Sequence, residues 1–235
     1  MTGRVALFVP CLAEHLDVRA AEATARLLRH LGVALDYPSA QTCCGQPFRT
    51  SGDLASADRL ARRFAKVFGD ADAIVTPSAS CAAMLRHHAP ADVTIGTRVF
   101  ELSDFLTRLG FDASQAEWPG TVAYHPSCHG RALPDATTRL LAAVRGLTLV
   151  PLPAAAQCCG FGGAFATRFA AISVALGKDK LAHAETPAPT LIVNDTGCRV
   201  HLRGLPSQVE LKHLAEVLAE GLHLMPRPPR LRGPA

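Results

Sequence analysis

Cysteine occurs eight times in the 235 residues, at positions 11, 43, 44, 81, 128, 158, 159 and 198, and the tripeptide CCG occurs twice. The thiolate form of this side chain is a nucleophile and a soft metal ligand, so the spacing decides what such a set can do. From Cys11, Cys43, Cys44 and Cys81 to Cys128, Cys158, Cys159 and Cys198 the offsets are 117, 115, 115 and 117 residues. The second half repeats the first with small insertions and deletions, and no cysteine is left over. The flanks keep the same order: VALFVPC matches TVAYHPSC, TCCGQPF matches QCCGFGG, and AIVTPSASC matches LIVNDTGC.

Four sulfurs per half suit several chemistries. A closed tetrahedral zinc site usually takes its ligands in pairs a few residues apart, and no C-x-x-C exists in this chain. Vicinal cysteines on an extended backbone point apart and reach a single ion only with strain. A multi-iron cluster several ångströms across removes that difficulty, because neighbouring thiolates can serve different irons. The glycine after each pair, Gly45 and Gly160, permits positive φ and lets backbone N–H groups approach sulfur. The residues therefore point to two multi-iron, iron–sulfur clusters, one per half. A zinc-stabilised, non-redox scaffold or regulatory binding module is the alternative. Redox thiol pairs normally use C-x-x-C, and the reading of cysteine as a small buried hydrophobe suits one thiol better than two matched quartets.

Elements must bring these sulfurs together. Short runs rich in Val, Ile and Leu at 5–9, 33–37, 74–76, 122–124, 147–150 and 191–193 have the character of strands buried on both faces. Helix-period stretches lie between and after them at 15–31, 53–68, 97–109, 136–145, 164–184 and 208–221. The alternation predicts an α/β protein of two tandem, pseudo-symmetric repeats with short parallel sheets. The first repeat spans 1–112 and the second 119–225, separated at the polar segment FDASQAEWPG and followed by a disordered Pro/Arg tail at 226–235. Cys11, Cys81, Cys128 and Cys198 then fall near the carboxyl ends of strands, the edge where open α/β sheets bind ligands, and both clusters are expected there. Cys81 and Cys198 also begin helices, whose positive dipole ends favour thiolate. Gly162 and Gly163 in CCGFGGAF are expected to open the next helix toward the second cluster.

Composition narrows the function classes. Formal net charge is +4, and Arg227, Arg230 and Arg232 of the acid-free tail supply three of those charges. The body is thus no footprint for nucleic acid or an anionic membrane. The first residues, MTGRVALFVPCLAEH, lack the apolar length and cleavage site of a secretory signal. No window approaches the roughly eighteen apolar residues of a membrane span. A cytoplasmic protein is expected, in which cysteines serve as ligands or catalytic thiols rather than disulfides.

The pattern C-x31-CCG-x35-C followed by C-x29-CCG-x37-C resembles the cysteine-rich CCG domain found in a subunit of heterodisulfide reductase, in glycolate oxidase iron–sulfur subunits and in anaerobic glycerol-3-phosphate dehydrogenase. With TCCGQPF, PSASCAAM, HPSCHGR, CCGFGGAF and NDTGCRVH in order, the stand-alone chain is most similar to the lactate utilisation branch of that family, over about residues 4–203. The resemblance implies an electron-transfer subunit rather than a complete enzyme. It would work with companion lactate utilisation proteins, namely iron–sulfur and flavin-like or dehydrogenase subunits, in oxidising L-lactate to pyruvate. Glycolate, another 2-hydroxy acid, or a disulfide are the alternative substrates.

Two departures from the family bear on the ligands. Heterodisulfide reductase ends each motif with a fifth cysteine in C-x-x-C, whereas this chain has Met84 in CAAM and His201 in CRVH. Four thiolates per half suit a cubane, or a cluster with an unusual fifth ligand for which His201 is the foremost candidate; cubane and noncubane both stay open. The ferredoxin run C-x2-C-x2-C is absent, as is a convincing dinucleotide fingerprint. Electrons can be stored or passed, but hydride removal from lactate needs a partner.

His125 and His129 flank Cys128, and either could donate to a cluster sulfur and raise its potential. A Met four residues into a helix is ordinarily core, which weakens Met84 as a ligand. His87 and His88 suit a solvated helix end. With twenty arginines against four lysines, Arg131 and Arg168 carry little information. The segment 208–221 reads as ordinary packing.

Overall fold

A computed structural model describes residues 3–132 and 135–228. The first half runs β1 (Val5–Leu7), α1 (Cys11–Leu16), α2 (Val18–His30), β2 (Leu35–Asp36), α3 (Gln46–Ser51), α4 (Leu54–Val67), β3 (Ala73–Thr76), α5 (Ala79–His87), β4 (Val99–Glu101) and α6 (Leu102–Arg108). The second half runs β5 (Glu117–His125), α7 (Thr137–Ala143), β6 (Arg145–Val150), α8 (Ala164–Arg168), α9 (Ala170–Glu185), β7 (Thr190–Val193), α10 (Thr196–Arg203), β8 (Glu210–Lys212) and α11 (Leu214–Gly221).

Each half carries a four-stranded, wholly parallel sheet. The strand orders are β2-β1-β3-β4 and β6-β5-β7-β8, the same topology twice. The central strands β3 (AIVT) and β7 (TLIV) are buried at every position, as expected for strands covered by helices on both faces. Parallel neighbours require crossover connections, and here those crossovers carry the cysteine motifs. The CCG tripeptides lie in the crossovers β2–α3 and β6–α8.

The two sheets share a core. One apolar cluster joins Val5, Leu27, Val75 and Phe105 of the first half to Trp118, Val122, Leu140 and Leu218 of the second. Helix α11, buried along its whole length, belongs to this shared cluster as α2 does, so the stretch 208–221 packs as core. Trp118 is buried and its Nε1 donates to Glu220 Oε2 at 2.9 Å.

Several boundaries differ from those the periodicity predicts. The stretches 97–109 and 208–221 are not helical throughout: 97–98 close a 3₁₀ turn and 99–101 form the strand β4, while 210–212 form the strand β8, each strand only three residues long. Three residues are too few to show a period of two, and the apolar pattern of the following helix runs on through them. The helix expected at 15–31 starts at Cys11 and breaks at Asp17, and the one expected at 164–184 breaks at Phe169. Within the expected tail, residues 226–228 are described and make contacts. The Pro226 carbonyl accepts from Arg19 at 2.6 Å, and the Arg227 guanidinium sits 3.7 Å over the Trp118 ring. Residues 229–235 lie outside the described residues. Among the described residues, no helix is long and apolar enough to cross a membrane.

Candidate metal centre

All eight cysteines are free thiols, and all eight line one cavity of about 400 Å³ between the two halves. Cys11 opens α1 just past the end of β1, and Cys128 follows β5 in the equivalent loop. Cys81 and Cys198 are the third residues of α5 and α10; the Cys198 N–H is taken by Asp195, and burial and the Asp195 carboxylate help push the Cys198 thiol up to about 11. The four cysteines placed next to strand ends thus lie at the carboxyl edges of both sheets.

The CCG loops complete each quartet. Gly45 and Gly160 both adopt φ of +92°, a conformation that costs any other L residue. Their N–H groups turn back on the first cysteine of each pair, Gly45 to Cys43 Sγ at 3.4 Å and Gly160 to Cys158 Sγ at 3.3 Å. A side chain at Gly160 would also run into the Ser173 carbonyl. The vicinal cysteines lie in loops outside any helix or strand. Cys44 Sγ donates to Cys81 Sγ at 3.2 Å, and Cys159 Sγ to Cys198 Sγ at 2.9 Å.

Within each quartet the thiols shift one another's proton affinity. Hydrogen bonds from Cys128 and then Cys159 hold Cys158 far below the ordinary thiol range. The same contacts with Cys158 push the Cys128 and Cys159 thiols up. In the first half the hydrogen bond to Cys43 and burial push Cys11 up. Four convergent soft donors in each half form an arrangement from which a thiophilic metal displaces protons. The donor set fits an iron–sulfur cluster in each half. The charged side chain lining the cavity is Asp195, and no lysine or arginine lines it among the described residues.

The neighbouring residues differ between halves. His125, at the end of β5, is 1% exposed, and neither ring nitrogen has a hydrogen-bond partner among the described residues. Its nearest ring nitrogen and the sulfurs of Cys159 and Cys198 lie within 4.8 Å of one another. Burial and then the Lys180 ammonium push this imidazole down to about 4, so the ring is neutral at neutral pH. Buried Lys180 is held by the Ala154 carbonyl at 2.6 Å. His129 is half-buried, with Nδ1 3.6 Å from Cys128 Sγ and 3.2 Å from the Gln46 amide of the first half. Gly162 and Gly163 line the cavity ahead of α8, a helix of only five residues. His201 does not line it: its Nε2 lies 3.2 Å from the Ser173 carbonyl and its ring sits beside Phe161. Met84 is buried in the apolar cluster behind Cys44 and Cys81, and His87 and His88 are exposed.

Contacts across the halves fix the two quartets relative to each other. Asp195 accepts from Cys198 N at 3.1 Å, capping α10, and from Ser80 N of α5 at 2.8 Å. Asn194 O accepts from Ala79 N at 3.0 Å, and His213 Nε2 donates to the Pro77 carbonyl at 2.8 Å. Directly after Cys198, the fully buried Arg199 pairs with Asp17 of the first half at 2.9 Å and with Glu216. No local signal in the chain marks Gln46, Ser80, Asp17 or Arg199, because their partners lie far away in sequence; Asp195 is visible there only as a cap before Cys198.

Paired sulfur nests at the carboxyl edges of two like sheets define a duplicated cysteine-rich domain protein. The chain belongs to the CCG cysteine-rich domain family, which it matches over residues 5–86 and 122–203. It is 41% identical to "Lactate utilization protein A" of Geobacillus kaustophilus over 92% of this chain and 98% of that one. To "Lactate utilization protein A 2" of Bacillus cereus (strain 03BB102) it is 36% identical over 94% of this chain and 99% of that one. Among solved structures, Picrophilus torridus aspartate racemase superposes with a TM-score of 0.40 at 11% identity, covering 94% of this chain and 93% of that chain.

Proposed function

We propose that this chain is a cytoplasmic iron–sulfur electron-transfer subunit of a multi-protein system that oxidises L-lactate to pyruvate. Cys11, Cys43, Cys44 and Cys81 hold one four-iron cluster in the repeat 1–112. Cys128, Cys158, Cys159 and Cys198 hold another in the repeat 119–225. The observation that carries this reading is the gathering of eight free thiols, four by four, about one cavity. The names of the relatives support lactate as the system's substrate, with companion lactate utilisation proteins taking the hydride.

Such clusters, when bound, supply one-electron carriers. The chain's own residues position and insulate them. The Gly45 and Gly160 N–H groups point at sulfur, and the apolar cores behind Cys44 and Cys159 exclude water. A single cavity touching both quartets supports two carriers held side by side, as a relay requires.

Anaerobic purification tests the cluster. About four irons and four sulfides per half are expected, with a broad absorbance near ~400 nm that dithionite bleaches. Stoichiometric zinc without iron overturns the reading in favour of a structural scaffold. Mixing the loaded chain with the companion proteins and L-lactate tests the system: reduction with lactate is expected, whereas reduction by glycolate alone contradicts the substrate.

A further inference from the structure

The internal repeat makes one departure stand out. In β1 and β3, Leu7 faces Val75, so the next pair is Phe8 with Thr76; in β5 and β7, His125 faces Val193. The offset of 117 residues that relates Cys81 to Cys198 relates Phe8 to His125 and Thr76 to Val193. His125 is thus the structural counterpart of Phe8. Phe8 is fully buried behind Cys44 and Cys81, with its ring 4.9 Å from Phe64 and 5.6 Å from Phe68. The second half replaces this apolar ring with an imidazole in an equally closed position.

A buried imidazole normally satisfies at least one nitrogen. His213, the other fully buried histidine, uses both: Nδ1 accepts from Ala215 N at 3.0 Å and Nε2 donates to Pro77 O at 2.8 Å. His125 uses neither among the described residues, and its neighbouring donor atoms are the sulfurs of Cys159 and Cys198. His201, the other imidazole near this quartet, has its Nε2 placed at the Ser173 carbonyl and lies off the cavity.

We propose that His125 is a nitrogen ligand of the metal centre in the second half, which makes that centre mixed imidazole–thiolate while the first half's centre is all-thiolate. This inference rests on the iron–sulfur reading given above. Phe8 can offer nothing comparable to Cys44 and Cys81, so the two centres differ in ligand chemistry although their cysteines repeat.

Pulsed electron paramagnetic resonance of the dithionite-reduced chain, purified anaerobically with natural-abundance or nitrogen-15 histidine, reads the ligand without any substitution at His125. The expected result is the strong coupling of a directly bonded nitrogen, changed by the isotope. It persists in Cys44→Ala and His201→Ala, and is lost in Cys159→Ala and His125→Phe. His125→Cys, which offers a thiolate from the same place, should keep iron in the second half while losing the coupling. Only weak nitrogen coupling in a protein that contains the second cluster overturns the ligand assignment and leaves the iron–sulfur reading intact, as does coupling that survives His125→Phe. Absence of any iron–sulfur signal in every preparation overturns both.

Discussion

The first quartet rests on an apolar core with three aromatic rings, the second on an apolar core beside which a histidine and a lysine are buried. Behind Cys44 and Cys81 stand Phe8, Phe64 and Phe68, the last two rings stacked at 4.4 Å. The CCG glycines give the alignment of the flanking helices: Gly45 faces Ala57 and Leu60, and Gly160 faces Ser173 and Leu176. By that register Phe64 corresponds to Lys180 and Phe68 to Ala184. Where the first half has an aromatic trio, the second has His125, a buried lysine and a small residue. Duplication preserved the sulfur geometry and changed the medium around it, and the surrounding charge and hydrogen bonding set a cluster's potential. A relay of two unequal carriers has a direction; one of two equal carriers has none.

The largest effect should come from the quartets themselves. Cys44→Ala is expected to remove about half of the bound iron and leave the second half's centre unaltered, and Cys159→Ala the reverse, read by iron analysis and spectroscopy. Loss of all iron in either variant would merge the two sites into one.

Next in size is the bridge between the halves. Asp17 and Arg199 are wholly buried, with Arg203 also 2.8 Å from Asp17. Asp17→Asn leaves Arg199 with Glu216 alone and should cost about 3 kcal/mol in chemical denaturation. A single transition at lower denaturant indicates one folding unit. A drop of under about 1 kcal/mol, the size expected of the exposed Arg4–Asp36 pair, would show that this bridge does not couple the halves.

Lys180→Met removes a buried cation beside the second quartet. Its charge favours a more negative, reduced cluster, so the second potential should fall by on the order of 100 mV at an effective dielectric of about 20, with the first unmoved. Equal shifts in both potentials would contradict the local origin of the asymmetry.

The smallest contrast is in pH dependence, at the caps of the last helix in each half. Glu101 caps α6 and His213 caps α11. Burial pushes Glu101 up to about 7 and His213 down to about 3. The stabilising contribution of neutral His213 is present above its unfolded pKa, about 6.5, and declines as pH falls toward the folded value; at about pH 5 the loss is about 2 kcal/mol. Glu101 has the opposite sign, since its contribution is complete below about 4.5 and is lost as pH rises through 7. Melting curves of His213→Gln should therefore lose acid sensitivity, and those of Glu101→Gln should lose sensitivity to rising pH. Parallel slopes in both variants would contradict these assignments.

Much of this was legible in the residues. Offsets of 117 and 115 announce a duplication, and the runs AIVT and TLIV announce buried parallel strands. The cysteines can be placed at strand ends because parallel sheets need crossovers, and the crossovers hold the motifs. The strands VFE and ELK were hidden by their length. His125 was visible as a neighbour of Cys128, but sequence could not reveal that its ring is enclosed beside Cys159 and Cys198 instead. The Asp17–Arg199 bridge joins residues far apart in the chain, and no local pattern marks such a pair.

The most direct test is a redox titration of the anaerobically purified chain followed by electron paramagnetic resonance with spin counting. Two centres, each held by its own four cysteines in different surroundings, predict two iron–sulfur signals with separate midpoints and about two spins per chain. A single signal accounting for all bound iron, or a spectroscopically silent protein carrying stoichiometric zinc, would contradict them.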